Sequence, residues 1–381
     1  MLPTLPFEII TVILTMLPTE TLVRFQCVCK AWRDLIRDPM FIKQHSRTRE
    51  SKGNGYLLYV SMNYDPCRAF TLLCEETFEE ALEIDVPFQP VDMYLIVVGS
   101  CNGLLCVSDT DRFGRVIYLC NPYIRRCRVI EHPITGVVGS LDPRHVHITL
   151  GFGYYEKTDD YKIIRIVGPS DESDDYLGWS FKNQETVECT KVEVYSTITK
   201  SWKNVEVEGF LWSVYDINSE LVVCDTLHWK AFNRYTNKDT LVIVAFHLGN
   251  ETFQQITLPN YEVDGEDMME YVTLYKGHLS LFLFKNVDDH PHPWQDQCCY
   301  LWVMKEYGVY SSWTKTLTIT VAPGVVRPLG FTRNDEIVFE DYEQDLVVCH
   351  FHTSAARALK VDVTGLLYFG SYMDSLVLLE G

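Results

Sequence analysis

The residues best suited to hold a metal or move a proton fall in one short stretch. Asp288, Asp289, His290 and His292 are followed by the adjacent thiols Cys298 and Cys299. Carboxylates, imidazoles and thiols at this density could ligate a transition metal, provided an outer shell fixes each donor. Their spacing works against that chemistry. His290 and His292 flank Pro291, and Pro293 follows, so the stretch reads as an extended loop with exposed imidazoles. Gly151-Phe152-Gly153 lacks the third glycine and the following helix of a dinucleotide loop. No G-x-S-x-G elbow, H-E-x-x-H pair or phosphate-binding G-x-x-x-x-G-K occurs. Cys29 stands beside a cation, Lys30, as an activated thiol does, but its apolar helical setting favours packing. No catalytic residue is expected, and neither a cofactor nor a metal is implied.

The elements behind these residues are of two kinds, and they meet near residue 50. The first forty-odd residues carry helical periodicity. Between Ile9 and Leu17 only Thr11 and Thr15 are polar, so a helix here is apolar around nearly its whole circumference. Pro6 fits a first helical position, Glu8 suits the positive end of the helix dipole, Pro18 stops the helix and Thr19 can cap the next. A third helix runs from about Val28 to Arg37, and Asp38-Pro39 closes it. From Leu5 to Ile42, 22 residues are apolar. Three short helices cannot hide that many among themselves, so the surplus calls for a partner surface.

Bulk properties narrow the class. The chain has 381 residues, 47% of them apolar, enough for a small module and one large domain. Residues 1–50 carry seven Lys/Arg against five Asp/Glu, net +2, and the remainder carries 26 against 47, net −21. Such an acidic surface argues against nucleic-acid binding and suits a basic protein partner through long-range steering. Thirteen irregularly spaced cysteines with no C-x-x-C read as reduced, buried thiols. No run of 18 apolar residues is present, so no membrane span is expected. The N-terminus has no basic n-region, and Glu8 and Glu20 interrupt its apolar character, which argues against a cleaved signal peptide and for cytosol or nucleus.

Leu5-Pro6, Glu8, Ile9, Ile13-Leu14, Leu17-Pro18, Leu22, Arg24, Val28-Cys29-Lys30, Trp32, Leu35-Ile36 and Pro39 to Phe41 together resemble an F-box. The resemblance implies a three-helix module over residues 1–45 that docks onto a Skp-type adaptor, and through it a cullin and a RING subunit. On this reading Leu5, Pro6, Ile9, Ile13, Leu14, Leu17, Pro18 and Leu22 make the adaptor contact, while Trp32 and Ile36 lock the third helix. Residues 46–55, SRTRESKGNG, read as a linker.

From Tyr56 onward, short runs of Val, Ile, Leu, Tyr and Phe alternate with turn clusters, which marks an all-β domain. Matching segments at Tyr118, Tyr195, Phe246, Trp302 and His350 recur about every 50 residues, stretched once by the acidic insertion near Asp171. One sheet per unit, each needing neighbours to bury its faces, predicts a β-propeller-like domain over residues 56–381. YLLYVSM and RAFTLL at the front would join LLYFGSYMDSLVLL at the end to close a ring of about six blades. Trp202, Trp229, Trp302 and Trp313 fall in strand patterns, as packing residues between sheets. A two-sheet sandwich is the competing fold.

GSCNGLLCVSD from Gly99, NPYIRRCRVI from Asn121, GFGYYEKTDDYKIIRI from Gly151, VEVYSTITKSWKN from Val192, LHWKAF from Leu227 and VAFHLGNETFQQITLP from Val244 resemble the F-box-associated domain of plant F-box proteins. The overall layout and the closing SYMDSLVLLEG are most similar to S-locus and related F-box proteins of the rose family. These resemblances imply a non-catalytic substrate receptor of a Skp-cullin-F-box ubiquitin ligase, which contributes proximity and leaves ubiquitin transfer to a conjugating enzyme. The S-locus resemblance implies a pistil ribonuclease, a basic protein, as target. Expected target contacts lie on propeller loops: Asp171, Glu172, Asp174, Asp175 and Tyr176; Tyr261, Glu262 and Asp264; Asp288, Asp289, His290 and His292. The rival readings are a glycan-binding or glycan-cleaving propeller, with carboxylates converging on a central pocket, and a scaffold whose helices merely cap one blade.

Overall fold

A computed structural model describes residues 6–52, 55–61, 70–84, 95–109, 116–132, 146–169, 191–207, 212–214, 218–219, 221–233, 241–261, 268–285, 297–321, 324–351, 353 and 356–377. The N-terminal module contains four helices, α1 (Phe7–Thr15), α2 (Thr19–Phe25), α3 (Lys30–Ile36) and α4 (Pro39–Lys52). The fourth corrects the expected three. Asp38-Pro39 ends α3, but the same pair starts α4. The Asp38 carboxylate accepts the Met40 and Phe41 N–H groups at 2.8 and 3.2 Å, and Pro39 takes the first helical position, where no N–H is needed. Residues 46–52 of the expected linker therefore belong to α4. Their polar character hid this, because beyond Phe41 and Ile42 the buried members of α4, His45 and Arg49, are themselves polar.

Smaller corrections concern the caps. Pro6 and Pro18 stand just before α1 and α2, and Thr19 is a buried first-turn residue of α2 instead of its cap. Cys29 caps α3, its sulfur accepting the Trp32 N–H at 3.4 Å, and remains exposed.

The described residues of the rest of the chain form six sheets. The first holds β1 (Tyr56–Ser61), β2 (Phe70–Cys74) and β3 (Glu80–Ile84). The second is β4 (Leu95–Cys101), β5 (Leu104–Asp109), β6 (Val116–Asn121) and β7 (Arg126–Glu131). The third is β8 (Val146–Tyr155), β9 (Asp160–Pro169), β10 (Lys191–Ser196) and β11 (Ser201–Val205). In the fourth the innermost strand is broken into β12 (Trp212–Val214) and β14 (Val222–Val223); between them β13 (Asn218–Ser219) pairs in parallel with β8 of the third sheet. That sheet continues through β15 (Thr226–Asn233), β16 (Leu241–His247) and β17 (Thr252–Thr257). The fifth is β18 (Met268–Tyr275), β19 (His278–Lys285), β20 (Gln297–Met304) and β21 (Trp313–Val321), and the sixth β22 (Val325–Phe331), β23 (Glu336–Asp341), β24 (Asp345–His350) and β25 (Ala356–Asp362). Finally β26 (Leu366–Tyr372) pairs with β1, so the last described strand is the innermost strand of the first sheet. The ring closes as a six-bladed propeller, and the five recurring landmarks Tyr118, Tyr195, Phe246, Trp302 and His350 all fall on the third strand of their blades.

Each blade buries both faces, which explains strands with almost no polar alternation. Along β16, Val242, Val244 and Phe246 pack toward the third blade, while Ile243 and Ala245 pack toward the fifth. Six apolar clusters result, one at each junction between neighbouring blades. Trp229 is wholly buried between blades three and four, its indole N–H donating to the Leu150 carbonyl at 3.2 Å. A Cβ at Gly151 would run into that indole, so the glycines of GFG are there for close packing. Trp229→Ala removes the largest buried side chain at this junction and is expected to cost about 3–5 kcal/mol. Denaturant melts check this, and a loss below about 1 kcal/mol contradicts the packing assignment.

The cysteine expectation holds only in part. Cys106, Cys299 and Cys349 are buried thiols, but Cys27, Cys29, Cys224 and Cys298 are exposed. Cys120 and Cys127 face each other across β6 and β7 and are disulfide-bonded. Their spacing spans an ordinary β-turn, so nothing in the sequence distinguished them.

Blades four and five are tied by His228, which is buried with Nδ1 2.9 Å from the Leu221 carbonyl and Nε2 2.8 Å from the Tyr307 hydroxyl. Burial holds its pKa at about 4, against 6.5 for a free imidazole, and the Leu221 hydrogen bond opposes this only in part. The unfolded chain takes up the proton first. Stability from this group is therefore complete above about pH 6.5 and is lost as pH falls toward 4, roughly 3 kcal/mol in all. Denaturant midpoints at about pH 7.5 and about pH 5 should differ more in the native protein than in His228→Gln. Equal differences would refute the assignment.

Candidate docking site

In α1 the chain buries only one side of the helix. Leu14 is 1% exposed and joins Leu22, Ile36 and Phe41 in a compact core, with Ile10, Leu17 and Trp32 packed against it. Ile9, Val12, Ile13 and Met16 follow the spacing i, i+3, i+4, i+7, which places them on one face. That face is open: these residues are 47%, 49%, 46% and 56% exposed. Phe7 adds a further exposed ring at the start of the helix. A row of apolar side chains on a rigid helix offers a partner area without ordering cost on this side, the pattern of helix-in-groove recognition.

Pro6, Ile9, Ile13 and Pro18 of the expected contact set are exposed, and Leu17 is half-buried. Leu14 and Leu22 require correction: at 1% and 0% exposure they fill the module's own core and have no surface to offer a partner. Leu5 lies outside the described residues. Val12 and Met16, outside the expected set, share the open face. An all-round apolar helix gives no phase by itself; what fixes the phase is the side covered by α2, α3 and α4.

The module sits at one end of the propeller. Glu156, in the turn between β8 and β9, pairs with Lys43 at 3.3 Å and Arg47 at 3.1 Å of α4. That turn joins the first strand of a blade to its second. Antiparallel alternation places all such turns, and those joining third to fourth strands, at the same end. The ends of β9 and β10, of β17 and β18, and of β19 and β20 that flank residues 170–190, 262–267 and 286–296 lie at the opposite end.

Of the expected target contacts only Tyr261 is among the described residues. It is half-buried, and its hydroxyl donates to the Glu270 carboxylate; burial, then that carboxylate, pushes its pKa up. Asp171, Glu172, Asp174, Asp175, Tyr176, Glu262, Asp264, Asp288, Asp289, His290 and His292 lie outside the described residues. Among the described residues no cluster of three or more His, Cys, Asp or Glu is arranged to hold a metal ion, and no helix is long and apolar enough to cross a membrane.

Residues 2–44 match the F-box domain family, and residues 59–372 match the F-box associated beta propeller domain. The chain is an F-box protein. It belongs to the branch that carries this propeller, whose members are generally non-catalytic substrate receptors of Skp-cullin-F-box ligases, and its F-box implies a Skp1-type adaptor as partner. Relatives in Arabidopsis thaliana include an F-box/kelch-repeat protein, 27% identical over 88% of this F-box protein and 85% of its own length. F-box protein CPR1 is 25% identical over 88% of this chain and 79% of its own, and a further Arabidopsis F-box protein is 28% identical over 87% and 76%.

Proposed function

We propose that this F-box protein recruits one or more protein targets to a Skp-cullin-F-box ligase in the cytosol or nucleus. The open apolar face of α1 meets the Skp-type adaptor, and the propeller end away from the helices receives the target. The observation that carries this reading is the exposure of Ile9, Val12, Ile13 and Met16 beside a fully closed internal core. A capping helix on a scaffold would turn that face inward. The finer reading is an S-locus type receptor for a basic pistil ribonuclease, supported by the net charge of −21 on residues 51–381. The glycan reading has less behind it: on the described inner strands β26, β4, β8, β12, β13, β14, β18 and β22 the one carboxylate is Glu270, which gives no converging pair.

Mixing the full chain with a purified Skp-type adaptor tests the core of the proposal. A one-to-one complex on gel filtration is expected; separate elution at micromolar concentration, about the range of a modest interface, would end the ligase reading. For the finer reading, association with a basic ribonuclease should weaken steeply as salt rises.

A further inference from the structure

The last described residues after β26, Met373 to Val377, are held from three directions. Asp374 is 1% exposed and accepts from Arg49 Nη2 of α4 at 2.9 Å, a buried ion pair between the helical module and the chain's other end. Leu376, 1% exposed, enters the helical core beside Leu14, Leu22, Ile36 and Phe41. Asn121 Nδ2 donates to the carbonyls of Ser375 at 3.1 Å and Val377 at 3.0 Å, while its Oδ1 accepts the Tyr123 and Ile124 N–H groups. Gly103, at φ +77°, completes the cradle. A Cβ there would lie 2.7 Å from the Met373 carbonyl oxygen, and the Tyr372 hydroxyl donates to the Gly103 carbonyl at 3.1 Å.

Two turn motifs thus have a purpose that turn chemistry alone does not supply. Asn102-Gly103 and Asn121-Pro122 both grip the C-terminal segment, and that segment supplies a side chain to the core of the N-terminal module. We infer that Met373–Val377 is a positioning element that makes the helical module and the propeller one rigid body, fixing the adaptor face relative to the target end. This rests on the ligase reading above: a held distance and angle are what a receptor without chemistry of its own contributes to transfer.

The test uses the full chain with Leu376→Asp, Asp374→Ala, or residues 373–381 deleted; β26 ends at Tyr372, so ring closure is left intact. Amide exchange in α4 should rise at least about tenfold, with exchange in β15, β16 and β19 unchanged. Solution scattering should require several module orientations in place of one. The charge reversal Arg49→Asp with Asp374→Arg should bring α4 exchange back to within about threefold of native, which a merely destabilising change would not do. Unchanged α4 exchange and scattering overturn the inference. Exchange rising throughout the blades overturns it too, because the segment would then be holding the ring and not the module. In a reconstituted ligase, self-ubiquitination should spread to additional propeller lysines when the segment is cut. Absence of any ubiquitination with the uncut chain counts against the ligase reading alone, since exchange and scattering judge the positioning role independently.

Discussion

Ile9→Asp combined with Ile13→Asp is expected to weaken adaptor binding by at least about a hundredfold while leaving the helices folded. Two half-exposed isoleucines on one helix face would each bury further apolar area in a complex, roughly 1–2 kcal/mol apiece. Two carboxylates in their place would have to be dehydrated against an apolar groove, which adds to the loss. The middle of that range gives about 3 kcal/mol, or two decades in affinity, before the dehydration cost is added. The informative comparison is Leu14→Asp. That residue is 1% exposed, so the charge goes into the helical core and should unfold the module. Both variants lose the adaptor, for different reasons. Circular dichroism and exchange in α2 and α3 separate them: native-like in the Ile9/Ile13 variant, collapsed in Leu14→Asp. If the Ile9/Ile13 variant retains native affinity, the face has been placed on the wrong side of α1.

That comparison also marks where the sequence was legible. An apolar surplus from Leu5 to Ile42 follows from counting, and the need for a partner follows from the surplus. Which side of α1 meets the partner does not follow, because Ile9, Ile10, Ile13 and Leu14 are chemically alike and only the packing of the other helices tells them apart. The propeller was legible for a related reason: strands such as LVIVAF, apolar on both faces, make sense only between two neighbours, and their recurrence counts the blades. The inner strands were harder. β12 to β14 are two or three residues each and carry no period, since that part of the ring is built by β13 crossing to β8. α4, and the contact of the C-terminal segment with the helices, were missed for a common cause. Arg49 and Asp374 look like surface residues in isolation, and only their pairing over more than three hundred residues makes both buried. A lone polar residue in a sequence does not announce its partner.

Glu193 is the case where such a partnership should have the largest effect on stability. Its side chain is 5% exposed at the junction of blades two and three, where it accepts from Arg165 Nη1 at 2.6 Å and His132 Nε2 at 2.9 Å, with Lys191 on its other oxygen. Burial alone would raise its pKa, yet hydrogen bonds from His132 and Lys191 and the charges of His132 and Arg165 hold it at about 2. The Arg165 side chain is 2% exposed and directly opposite Glu193 across β9 and β10. Glu193→Ala leaves that guanidinium buried without its counter-charge, an expected cost of about 3–5 kcal/mol. Glu193→Leu with Arg165→Met removes both charges at similar volume and should recover most of the loss. The native carboxylate is depressed, so its contribution is present above the unfolded value of about 4.5 and disappears as pH falls toward 2. Acid melts of Glu193→Ala should therefore be flatter than native across that window. β9 and β10 also deliver the chain to residues 170–190, where the acidic candidates of the target face reside. A loosened junction should thus weaken target capture in Glu193→Ala while adaptor binding, at the other end of the molecule, stays native; loss of both together would mean that the two ends do not fold as separable surfaces.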